Sequence, residues 1–288
     1  MRCRSSSCTH VGGMDEDDLM HLGLVDDDEI ILDEAALVLA LLDHPGMDGE
    51  PYIDLFEAIA EALEEASATA SAAEPDAEEQ AELLAQVIGG AFEFAGDRET
   101  YDDPANADVV RVVDRRRGLP VSLSILYVAA ARRLGWIANA LDVPGHVLVL
   151  IGDETVPVMI DPFRGGERVS QEQLLALLKT GLPEGEGQGS PVRHVAAMPN
   201  RAILVRLLLN QATRAERGSD GRRALTLFER MTIIAPAFPH AWWELARLQL
   251  VDGDISGARK SLSAMLEITR EPDLRARITE VMGSLPAS

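Results

Sequence analysis

Between residues 120 and 135 apolar side chains recur at Leu123, Leu126, Tyr127, Ala130 and Leu134. That three-or-four spacing predicts a helix of about four turns with one apolar stripe. Pro120 suits its first turn and Gly135 its left-handed stop. Two short apolar runs follow, VLVLI and TVPVMI, joined at Gly152-Asp153-Glu154. They predict a β-hairpin with Asp153 and Glu154 as its turn. That register sets His146 directly opposite Asp161 on one face, and a slip of one residue would part them.

The flanks read as helices. Apolar patterning predicts them over 27–42, 53–66 and 77–94, the last running through Gly89-Gly90. The small-residue and acidic stretch ASATASAAEPDAEE reads as a linker, and the Asp- and Pro-rich residues 96–114 as a loop. After Gly166 a helix is expected over 170–179, then the Gly/Pro-rich connector LPEGEGQGSP. Beyond it the period is helical to the end, and a shift of 34 residues superposes Ala224 on Ala258, Phe228 on Leu262 and Leu208 on Trp242. The expected organisation is a flexible acidic tail over 1–26, a main domain over 27–181, a linker over 182–200 and helical repeats over 201–288. One repeat cannot bury its own face, so two must lean on the domain before them.

The formal net charge is -22 over 288 residues, and no Lys or Arg falls between Arg4 and Arg98. Such a surface repels phosphate backbones and anionic lipid, which argues against nucleic acid and membrane as partners. A highly charged solvating face is the plain reading, and a basic protein surface is the partner class that would suit it. The two cysteines, Cys3 and Cys8, imply no disulfide framework. With His10 they lack a fourth ligand, so neither metal nor cofactor is expected. A signal-peptide core and a run of eighteen apolar residues are both missing from the sequence, and the expected location is the cytoplasm. Met14 is an alternative start to Met1.

Three motifs carry a family resemblance. Arg116-Arg117-Gly118-Leu119-Pro120-Val121-Ser122-Leu123 opens the central helix, Pro144-Gly145-His146 opens a strand, and DPFRGG covers Asp161 to Gly166. In that order they resemble the bacterial transglutaminase-like family of the SirB type. The resemblance implies an α+β fold. Its transglutaminase/papain-like core has a central helix on a small antiparallel sheet, with N-terminal helices before it and an all-α tetratricopeptide-like repeat region behind. It also implies a Cys at the helix start, ionised by the helix dipole and a His that an Asp orients.

The resemblance implies about fifteen residues from that Cys to the Gly closing the helix, and counting back fifteen from Gly135 puts Pro120 at the nucleophile position. Ser122 lies about 200° further round the helix, and Ser124 is no better placed. A first-turn serine meeting free backbone N–H groups is the plain reading of Ser122. Two functions follow. One is a non-catalytic protein-binding or regulatory module, with Pro120 closing the nucleophile site. The other is a hydrolase or acyl-transfer enzyme using Ser122 with His146 and Asp161. Arg115, Arg116 and Arg117 read either as solvated charges outside a helix start or as a site for an anion or partner carboxylate, with Arg116 the candidate contact. Trp242 and Trp243 are adjacent, so one is expected in the core and the other at a partner surface.

Overall fold

The computed structural model describes residues 16–70, 74–153, 155–181 and 196–286. The chain begins with α1 (Glu16–Leu24), α2 (Leu32–Leu41) and α3 (Glu50–Ala70). Then α4 (Ala77–Leu84) runs into a π-helical turn (Ala85–Ala91). Next come β1 (Ala95–Gly96), a 3-10 turn (Pro104–Ala107), α5 (Val109–Arg115) and β2 (Arg117–Gly118). They lead into α6 (Pro120–Arg133), β3 (Ala138–Val143), β4 (His146–Ile151), β5 (Val158–Asp161), β6 (Glu167–Arg168) and α7 (Gln171–Gly181). The chain closes with α8 (Asn200–Arg217), α9 (Gly221–Ile234), α10 (Pro239–Val251), α11 (Ile255–Ile268) and α12 (Pro272–Ser284).

Helix α6 is the hub. The single stripe expected from its spacing is a fully enclosed helix instead, because every residue from Pro120 to Ala131 is buried. It packs on β3 and β4 on one side and on α2, α3 and α8 on others. Its small side chains at Ser122, Ser124 and Ala129 to Ala131 let those elements close in from all directions. A helix enclosed on all sides has no polar face to keep wet, which is why its periodicity undersold its burial.

The sheet is antiparallel in the order β3-β4-β5-β6. Strand β3 was not expected, since ANALDV lacks a clean alternation, and it turns into β4 through Pro144 and Gly145, the latter at φ 74. The β4–β5 connection is longer than the two-residue turn inferred from sequence. Ile151 pairs with Val158 and Val149 with Ile160, so the register is displaced by two residues and Asp161 falls opposite Leu148. A displacement of two keeps the face of every side chain, so His146 and Asp161 still share one. Glu154 lies outside the described residues.

Several boundaries differ from expectation. Residues 16–24 of the supposed tail form α1, whose Leu19 and Leu22 are buried; residues 1–15, with Cys3, Cys8 and His10, lie outside the described residues. The predicted 27–42 helix starts late, after a 3-10 turn at Asp27–Glu29. The linker shrinks because α3 continues to Ala70 and α4 begins at Ala77 under a capping box of Asp76 and Glu79. The loop expected over 96–114 holds a 3-10 turn and α5. Residues 182–195 of the connector lie outside the described residues, and Asn200 already belongs to α8.

In the tail, α9 and α11 start at Gly221 and Ile255 and end at Ile234 and Ile268, the same 34-residue offset at both ends. Asp220 and Asp254 cap them alike, each accepting the backbone N–H three residues on. One apolar cluster runs from Leu19 through α6 to Leu248, so α8, α9 and part of α10 share the core of the sheet region. A further cluster of Ala246, Ala258, Leu262, Met265 and Ile278 ties α10, α11 and α12 together. Among the described residues no helix is long and apolar enough to cross a membrane.

Candidate functional site

The start of α6 is held by a polar bracket. Asp97 accepts from the Thr100 hydroxyl at 2.6 Å, the Thr100 N–H at 2.8 Å and the Arg115 guanidinium at 2.8 Å. Those hydrogen bonds, the Thr100 hydroxyl first, hold the Asp97 carboxyl well below the usual carboxylate range. Arg115 also donates to the Asn106 side chain at 3.1 Å. The carbonyl of Asn106, itself fully buried, takes the Leu119 N–H at 2.9 Å and the Ser122 hydroxyl at 2.8 Å.

Ser122, 1% exposed, therefore donates its hydroxyl to a backbone carbonyl rather than meeting free N–H groups. Ser124 is likewise buried, with its hydroxyl 3.5 Å from the Val147 carbonyl. Pro120 is the first helical residue after Leu119, where its missing N–H costs nothing.

Of the three arginines before α6, Arg115 and Arg116 are half-buried and Arg117 is exposed. Arg115 braces the bracket, Arg117 donates to the carbonyls of Glu93 and Arg116, and Arg116 stacks 4.6 Å over the Phe94 ring. Arg116 closes α5 at φ 56, a conformation uncommon outside glycine. Sequence reasoning missed Asp97, Thr100 and Asn106 because they lie in an irregular stretch with no periodicity. The available signal was the cluster of Asx and Thr residues itself, whose short side chains suit capping and bracing of loops.

The other half of the site is as expected from the shared face. His146 Nε2 lies 2.9 Å from Asp161 Oδ1, and both side chains are mostly enclosed. Asp161 also accepts the Phe163 N–H at 3.0 Å and has Arg164 Nε at 3.4 Å. The Phe163 ring meets His146 edge-on at 6.0 Å and Tyr101 at 5.8 Å. Gly96 lets that ring in, since a Cβ there would stand 2.3 Å from it. With Nε2 tied to a carboxylate, the imidazole presents Nδ1 as its other polar atom, an arrangement able to accept a proton from an attacking group.

A model of the transglutaminase-like superfamily matches residues 52–209, more than half of the chain. The chain belongs to this superfamily. A protein of Xylella fastidiosa strain 9a5c, named UPF0162 protein, is 30% identical over 253 residues, covering 86% of this chain and 87% of its own. A UPF0162 protein of Vibrio cholerae serotype O1 is 40% identical over 86 residues, which is 30% of this chain and 32% of that one. F-box only protein 21 of Mus musculus is 35% identical over 63 residues, 22% of this chain and 10% of that protein. The span matched to the superfamily contains both the bracket and the His146–Asp161 pair.

Within this transglutaminase-like site one buried hydroxyl is unsatisfied. The Tyr127 hydroxyl, on the face of α6 toward the DPFRGG turn, has no hydrogen-bond partner among the described residues. Burial, and secondarily the Asp161 charge, push it up from its ordinary pKa. Removing an unpartnered buried hydroxyl relieves its desolvation cost, so Tyr127→Phe is expected to stabilise the fold by about 1 kcal/mol. Urea unfolding at pH 7 measures this; a loss of similar size would mean that the hydroxyl is paired.

The tryptophans do not divide as expected into one core and one surface residue. Both are half-buried. Trp242 donates its indole N–H to the Pro236 carbonyl at 2.8 Å, and the Arg277 guanidinium sits 5.0 Å over Trp243.

Proposed function

We propose that this transglutaminase-like chain is a non-catalytic protein-binding or regulatory module of the SirB type. The observation that carries the proposal is Pro120 at the first turn of α6, with the nearest hydroxyl, Ser122, donated to the Asn106 carbonyl. Proline has no group to attack a carbonyl, so the imidazole and carboxylate that would serve a nucleophile have none to serve. In this reading His146 and Asp161 act as a latch between the start of β4 and the end of β5. The tail forms two tetratricopeptide-like hairpins, α8–α9 and α10–α11, a reading supported by their 34-residue offset. Recognition of a cytoplasmic protein partner is assigned to that tail, with Trp243 as the aromatic contact.

The intact His146–Asp161 hydrogen bond favours a second reading, a hydrolase or acyl-transfer enzyme. His146→Ala separates the two. The proposal expects no turnover of ester, thioester or amide substrates by either protein, and a stability loss of about 1 kcal/mol from the lost hydrogen bond. The enzyme reading expects measurable turnover in the parent that falls by roughly 10²–10⁴-fold in the variant.

A further inference from the structure

A second His–Asp pair lies outside the transglutaminase-like site. His44, just beyond α2, places Nε2 2.7 Å from Asp108 Oδ2 at the start of α5. The pair lines a cavity of about 510 Å³ between α5 and the α8–α9 hairpin, together with Arg111, Gln211, Arg214 and Arg223. Small-molecule sites span roughly 300–1,000 Å³.

Charge in this cavity runs against that of the chain. Three guanidiniums line it against the carboxylates of Asp108 and Asp220, in a protein of net charge -22. Both carboxylates are already engaged. Asp108 accepts the Arg111 N–H as it caps α5 and holds His44, while Asp220 accepts the Arg223 N–H as it caps α9. Asp43, behind the cavity, is shared by Arg223 and Arg230 and cannot neutralise both.

Donors remain for a ligand. Arg223 commits two of its N–H groups to Asp43 and one to Gln211, which leaves two of its five. Arg111 is exposed and makes no ion pair among the described residues. With Nε2 on Asp108, His44 has Nδ1 left over, which accepts from a P–OH group when the ring is neutral and donates to a phosphate oxygen when both ring nitrogens carry protons. Arg214, its side chain 7% exposed, is pinned by Asn210 and the Tyr101 carbonyl, and its counter-charge is the exposed Asp102 at 3.6 Å, which Arg217 shares at 3.8 Å.

We infer that this cavity binds a small phosphate monoester, its phosphate between Arg111, Arg223 and His44. Guanidinium forks match phosphate oxygens in geometry and give charge-assisted hydrogen bonds. Asp108 and Asp220 and the acidic surface beyond them disfavour a long polyanion, so the ligand is a single phosphate on a small body rather than nucleic acid. Because the walls come from α5 and from α8 and α9, the ligand would bridge the sheet region and the tail.

Calorimetry on the full chain tests this with ribose 5-phosphate, inorganic phosphate and ribose. Saturable binding is expected for both phosphate probes and not for ribose. Arg111→Gln, at an exposed position, should weaken ribose 5-phosphate about tenfold or more, while Arg217→Gln, outside the cavity, should leave it unchanged. Absence of saturable binding of either phosphate probe up to about 10 mM, or equal affinity in Arg111→Gln and the parent, would overturn the assignment.

Discussion

Arg133→Ala is expected to destabilise the protein by about 3 kcal/mol at pH 7, among the largest effects of any single substitution away from the candidate site. Arg133, in the last turn of α6, reaches Asp33 in the first turn of α2 at 2.9 Å and Glu34 at 3.3 Å. The Asp33 side chain is only 3% exposed. Burial is the larger influence on its carboxyl and exceeds the pull of Arg133, so its pKa is raised to about 6. Without the guanidinium, a carboxylate would be left buried with no counter-charge.

The same pair fixes the sign of a pH dependence. A carboxyl whose folded pKa lies above its unfolded one favours the folded state when protonated. Its contribution is complete below pH 4 and is lost as pH rises through about 6. Relative to Asp33→Asn, which keeps an acceptor but cannot ionise, the parent should lose about 2 kcal/mol between pH 4 and pH 7. Arg133→Ala should steepen that loss, because its folded pKa rises further. Urea unfolding of the three proteins across that range measures both effects. A parent and Asp33→Asn that run parallel would mean the pair stays ionised throughout.

Gly89→Ala should cost about 3 kcal/mol, while Gly90→Ala, next door, should be neutral or mildly stabilising. A Cβ at Gly89 would stand 2.4 Å from the Gly165 carbonyl oxygen, a backbone atom that cannot swing aside. At Gly90 the nearest heavy atom would be the Ala85 carbonyl oxygen at 3.8 Å. The π-helical turn after α4 thus lies against the DPFRGG turn that follows Asp161. Forcing them apart should also disturb the His146–Asp161 pair, visible as a shift of the His146 ring resonances. Thermal unfolding of the two variants side by side is the check, and equal losses would mean that helix propensity rather than this contact sets the cost.

The glycines illustrate what the sequence could convey. Gly89-Gly90 reads there as a weak point in a helix, and only the approach of Gly165 explains why one of the two has no room for a methyl group. The His146–Asp161 pair was legible because strand alternation fixes the face of a residue even when the turn is misjudged by two positions. Proline at the nucleophile position was legible through the family resemblance, which supplied the interval to count from Gly135. The bracket of Asp97, Arg115 and Asn106 was not, since its hydrogen bonds depend on how an irregular loop folds back on α5. Helix α6 was found but its surroundings were not, because a helix buried all round carries no polar face to count.

The central claim is that no group beside His146 can attack a carbonyl. Intact-mass and peptide mapping of the full chain after exposure to a fluorophosphonate and to an acylating ester test it most directly, with His146→Ala treated alongside. The account predicts no adduct on Ser122, Ser124 or any other side chain between Gly96 and Arg168 that depends on His146. An adduct on any of them that disappears in the His146→Ala protein would contradict it.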